Sequence, residues 1–232
     1  RMRRVRGGLW RQGFQVATTL PPVRSEAEVL LRPAEEVFNR AVTLSVVATV
    51  AVAVLNGEPV DFDALRSGSR RAFDNLTPIE RSFLDAAETA QKAQEAPGAQ
   101  AYNQELQDDA YQLAWAYTAA EFLAWAVGLI DIDVFGFTPV DLPALRSALR
   151  AVDNEGRDAS ALPLRSLPEI CDVLEHIYSL RWVSVELQSD NPSQTGPGAL
   201  QPQDHSTLVE RHRAVAWLTD PVIAYDDVDL ST

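Results

Sequence analysis

Apolar residues recur at three- and four-residue steps through most of the chain, a period that gathers them on one face of an α-helix. The clearest stripe is Ile170, Val173, Leu174, Ile177, Leu180 and Val183, which predicts a helix reaching Leu187. In front of it, Ser166-Leu167-Pro168-Glu169 has the form of a capping box. Thr77-Pro78-Ile79-Glu80 repeats that form and predicts a helix to about Gln94. Asp141 precedes Leu142, Leu145, Leu149 and Val152, a one-sided stripe that ends near Asn154 and Gly156. Shorter helices are predicted from Asp61 to Phe73 and from about Asp204 to Leu218.

Two stretches are apolar on nearly every side. One is Ala34 to Leu55; the other runs from Tyr102 to about Ile130, and between Ala110 and Ile130 its one charge is Glu121. They are predicted to form the centre, with the amphipathic helices as a shell. No convincing alternation of period two occurs, since the β-branched residues of Val50 to Val54 lie inside a pattern too long for a strand. Ala41 to Gly57 has seventeen residues without charge, but Thr43, Ser45, Thr49 and Asn56 interrupt it. A spanning helix needs about 20 apolar residues, so this is read as the core of a soluble bundle and not as a membrane segment. Gln188 to Gln203 is rich in proline, glycine and polar residues and is expected to be a mobile loop, with Gln94 to Ala101 a smaller one. The expected architecture is all-α: one domain over residues 1–232, a bundle of about seven to eight helices. Residues 1–32 make a helix and an extended arm, and 219–232 a solvated acidic tail.

Charge changes the picture of partners. The chain has 20 basic and 33 acidic residues, a net charge of −13. Residues 1–40 hold eight arginines against four acids, which leaves 12 basic and 29 acidic residues beyond them. Such a surface repels phosphate backbones, excludes nucleic acid as a partner and favours a basic protein whose association is faster at low salt. A single cysteine, Cys171, excludes an internal disulfide and suits a reducing, cytoplasmic setting. The basic first residues lead into Gly7-Gly8-Leu9-Trp10-Arg11-Gln12-Gly13 and not into an apolar run, so no signal peptide is expected.

Candidate chemistry is sparse. There is no nucleophile elbow, phosphate-binding glycine loop, zinc-protease helix or dinucleotide glycine pattern. Asp172 and His176 stand four apart on one predicted helix, and His205 and His212 seven apart on another. Two ligands do not make a metal site, so no metal and no cofactor is expected. Glu121, alone in an apolar stretch, must find an arginine or have its pKa raised, and Arg40 is its expected partner. Glu210-Arg211-His212-Arg213 is read as an anchor in which Arg211 pairs with an acid elsewhere. Trp115, Trp125, Trp182 and Trp217 fall on predicted helices and are read as core residues. Asp226-Asp227-Val228-Asp229 lacks the glycine and distal glutamate of a calcium loop.

Four stretches together resemble a bacterial family known as domain of unknown function 4272. They are Leu20-Pro21-Pro22 with Leu31-Arg32-Pro33-Ala34-Glu35-Glu36-Val37 and Arg40; Leu123 to Asp131; Leu164-Arg165-Ser166 with Ile177 to Trp182; and Val209 to Leu218 with Tyr225 to Asp229. The sequence departs from the family pattern at Pro33, Thr118 and Tyr225, where a serine, a glutamate and a tryptophan are expected. The resemblance implies a single helical domain and no activity. The expected role is that of a protein-binding module of adaptor or immunity type. The alternative is an enzyme whose site collects carboxylates and histidines from Glu121, Asp172, His176 and His212 between helices. A deep pocket holding those groups favours the enzyme; an acidic groove over a filled interior favours the binder.

Overall fold

The computed structural model describes residues 1–94, 103–189 and 200–232. Among the described residues the regular structure is helical, without strands. The helices are α1 (Met2–Arg11), α2 (Ala34–Asn56), α3 (Phe62–Gly68), α4 (Arg70–Asp74), α5 (Pro78–Gln94), α6 (Gln104–Ala114), α7 (Ala116–Ala126), α8 (Leu142–Asn154), α9 (Leu167–Leu187) and α10 (Pro202–Leu218). Short 3-10 turns lie at Ala159–Ala161 and Tyr225–Asp227.

The two apolar stretches lie at the centre. All eleven residues of α7 are buried, Glu121 included. It packs on α2 and α10, while α2 also carries α6 and α4, and α9 lies on α10. Five alanines among the eleven residues of α7 let the helices approach closely. By length and composition α2 could cross a membrane, yet about two thirds of its apolar window is buried inside the fold. It serves two cores. Its first half joins the main one, with α7, α9 and α10, and Val47, Val50, Ala51 and Val54 join a smaller one with Phe62, Phe83, Leu84, Leu106 and Ala110.

The predicted Tyr102–Ile130 helix is two helices. Tyr102 lies outside the described residues, and the chain bends at Trp115, where Trp115 N–H donates to Gln112 and Thr118 N–H to Trp115. These tighter bonds turn the chain so that α6 lies on α2 and α5, and α7 on α2 and α10. Helix α2, with 23 residues, is longer than either. The Asp61–Phe73 prediction likewise divides at Ser69 into α3 and α4.

Side-chain caps account for several helix starts. Thr77 and Glu80 make the predicted reciprocal box, with Glu80 N–H to Thr77 Oγ1 at 3.2 Å and Thr77 N–H to Glu80 Oε2 at 2.9 Å. Asp61 and Asp141 cap α3 and α8. Ser166 makes no such bond, and the Glu169 carboxylate lies 3.4 Å from Arg165 Nη1. Two residues beyond α7, Gly128 has a φ of 69°, which suits glycine, and the Leu129 amide reaches back to Ala124 at 2.9 Å. A Cβ there would stand 2.8 Å from Pro163 Cγ, whereas Gly57, with φ 68°, faces open space. Gly128→Ala is therefore expected to lose about 1–3 kcal/mol of stability in urea unfolding and Gly57→Ala less. Equal losses would remove the packing contribution.

The acidic tail is not free. Tyr225 and Val228 are buried, and the Tyr225 ring meets Trp217 edge-on at 5.8 Å, so its apolar positions dock on α10 while Asp227 and Asp229 face solvent.

Candidate functional site

The six residues singled out by sequence lie on α7, α9 and α10, and none of them lines the two clefts described below. Glu121, His176 and Arg211 approach one another beneath the 131–140 loop. Arg211 Nη1 donates to the carbonyls of Val134 at 3.1 Å and Gly136 at 2.6 Å. A loop without regular structure leaves carbonyls in need of donors, and α10 supplies one. Arg211 was expected to pair with an acid; it binds these two carbonyls instead, and burial lowers its pKa, with Glu121 and Asp133 opposing that shift only in part. Burial raises the Glu121 carboxyl pKa, against the pull of Arg211 and a hydrogen bond from the Asp141 amide. Arg40 does not reach Glu121, being bound to Glu80.

His176 packs against the Phe135 ring, edge to face at 4.7 Å. Burial lowers its pKa to about 4, against a backbone hydrogen bond to Phe135 and the charge of Asp133. Asp172, four residues earlier, turns outward to Arg4, so the two form no acid–base pair. His212 lies beside Tyr178, with ring centroids 6.0 Å apart, and burial lowers its pKa to about 4, helped by Arg181. His205 bonds Ser184 Oγ at 2.6 Å. Glu210 is half-buried; desolvation raises its pKa and Arg213 offsets part of this. Among the described residues, no three His, Cys, Asp or Glu side chains are placed to hold a metal ion.

The sequence reading missed a set of buried arginines. Arg6 Nε meets Glu175 Oε1 at 2.7 Å, and its other nitrogens donate to the carbonyls of Leu20 and Pro21. Arg40 Nη1 meets Glu80 Oε1 at 2.9 Å, and the guanidinium stands 5.1 Å from the centre of the Tyr225 ring. Arg32 stacks on Trp217 at 4.2 Å and donates to the carbonyls of Trp217, Asp220 and Ile223. Arg32 and Arg40 thus tie the first stretch of the family pattern to the fourth. The excess of arginine in residues 1–40 was the available signal, but a basic run reads equally well as a solvated arm.

Two open clefts lie elsewhere, and none of the six residues lines either. One, of about 570 Å³, runs between α5 and α6. Phe83, Ala86, Leu106 and Leu113 give it an apolar surface, Glu105 and Asp109 supply its charge, and among the described residues no basic one lines it. Ile79 contributes a large apolar side chain that is 58% exposed. The other cleft, between α2, α4 and α8, is rich in arginine.

A family model described as Domain of unknown function (DUF4272) matches residues 1–228. No curated protein and no solved structure matches the chain.

Proposed function

The chain belongs to the DUF4272 family, whose description names no activity, and from its geometry we propose that it is a protein-binding module of adaptor type. The observation that carries this reading is the α5–α6 groove. It combines an apolar floor with acidic side chains and, among the described residues, no opposing cation, which suits the apolar face of a basic amphipathic segment laid along it. Glu105 and Asp109 supply local complementarity, and the net charge of −13 accelerates encounter with a basic partner in a salt-dependent way. Ile79 and Phe83 are suited to anchor the contact, since affinity concentrates in a few desolvated apolar residues. The enzyme alternative has less support: Glu121, His176 and His212 are buried among helices, Asp172 is tied to Arg4, and neither cleft collects them. A cytoplasmic location accords with the one buried, free cysteine.

A photo-crosslinking residue at position 79 tests this in cells that express the protein naturally. The expected result is one dominant adduct with a basic protein, lost in the Glu105→Lys/Asp109→Lys variant and formed more slowly at high salt. A partner captured through another surface, with no adduct at position 79, would overturn the groove as the docking site.

A further inference from the structure

We propose that the arginine-lined cleft between α2, α4 and α8 binds a small organic phosphate, with its charged group held by Arg70 and Arg150 and its apolar body against α2 and Leu149. The cleft, of about 580 Å³, is the size of a small-molecule pocket and shares no lining residue with the α5–α6 groove. Four of the eleven arginines beyond residue 40 line it, against two acids, Asp74 and Asp153. The lining is therefore net positive in a chain of net charge −13.

The four arginines are of two kinds. Arg71 is held by Asp153 at 2.7 Å and Asn39 at 2.8 Å, and Arg146 by the Tyr117 hydroxyl and by Thr49 Oγ1 at 3.2 Å. These two are orientated by the protein. Arg70 and Arg150 are exposed, contributed by α4 and α8 across the cleft, and among the described residues neither has an ion pair or side-chain hydrogen bond. Two unpaired guanidinium groups match a dianion: each planar fork can donate two parallel bonds to phosphate oxygens, a geometry that ammonium groups do not offer. Val42, Val46, Leu65 and Leu149 supply apolar lining that an inorganic ion would leave unused. The recognised class is therefore a phosphate ester carrying an apolar or aromatic group.

Calorimetry with the full chain and 1-naphthyl phosphate tests the assignment, with inorganic phosphate, 1-naphthol and 1-naphthoate as partial probes. The phosphate ester is expected to bind more tightly than any of the three and more weakly as salt rises. Removing Arg70 or Arg150 as alanine should weaken it about tenfold each, since each loses charge-assisted hydrogen bonds. Both side chains are exposed and unpaired, so the urea midpoints of the variants should match that of the parent. The Glu105→Lys/Asp109→Lys variant should bind the ester unchanged, so failure of the groove and failure of this cleft are distinguishable. No heat at millimolar ester, equal binding of 1-naphthol, or unchanged binding in the Arg70→Ala/Arg150→Ala variant would overturn the proposal.

Discussion

Replacing Arg6 by methionine is expected to lower the free energy of unfolding by about 3–5 kcal/mol, while Arg4→Ala, two positions earlier, leaves the urea midpoint where it was. Both arginines face carboxylates on α9. Arg4 meets Asp172 with 68% of its side chain exposed, so water competes for both charges and salt screens them. Arg6 meets Glu175, whose side chain is 1% exposed, and methionine would leave that carboxylate in the interior with only the Ser179 hydroxyl and the Val23 amide beside it. The loss reports the stranding of a buried charge and not the net worth of the pair. A double variant, Arg6→Met with Glu175→Leu, should therefore recover much of it. If Arg6→Met and Arg4→Ala shift the midpoint equally, burial does not distinguish the two pairs. The same reasoning covers Arg40 and Glu80, with the added loss of the Thr77 box that Glu80 completes.

Acidification from neutral pH should destabilise the protein through His176 and His212. Each has a folded pKa of about 4 against an ordinary value of 6.5. Between those values the unfolded chain binds protons that the folded chain refuses, so the stabilisation is complete above about pH 6.5 and is lost as pH falls towards about 4. The full difference corresponds to about 3 kcal/mol for each histidine, at the usual 1.36 kcal/mol per pKa unit. Glu121 and Glu210 act in the opposite sense. Their folded pKa values are raised, so protonation favours the folded state between the ordinary carboxylate value and the raised one. Urea midpoints of the parent and of the His176→Gln/His212→Gln variant, measured between about pH 7.5 and 5, should diverge in slope, with the variant flatter. Parallel curves would show that neither histidine is held neutral by the fold.

Much of the helical architecture was legible without coordinates because its signals are short-ranged. The Thr77 box, the Asp61 and Asp141 caps and the stripe from Ile170 to Val183 are each complete within one or a few turns, and each forms where it was read. The long uncharged runs likewise indicate their own burial, because their apolar side chains cannot face water at low cost. The failures have one physical character. The glutamate of the Ser166 box lies against Arg165, and packing brings Arg40 to Glu80 and not to Glu121. The bend at Trp115 has no glycine or proline to announce it and follows from the different neighbours of α6 and α7.

For the candidate sites the division is sharper. The residue types of Glu121, His176, Arg211 and His212 marked them as polar groups in apolar helices, and their burial follows from that setting. Which of them meet, and which charges are answered by loop carbonyls, depends on contacts between positions as far apart as Gly136 and Arg211. The two clefts had no local signature at all. Ile79, Glu105 and Asp109 become one acidic groove when α5 lies beside α6, and Arg70 and Arg150 become two walls of one cavity when α4 and α8 flank α2. Helix formation rests on neighbours three and four residues apart, which a sequence displays directly; a binding surface rests on the distances between helices, which arise when the whole set of apolar faces is buried together.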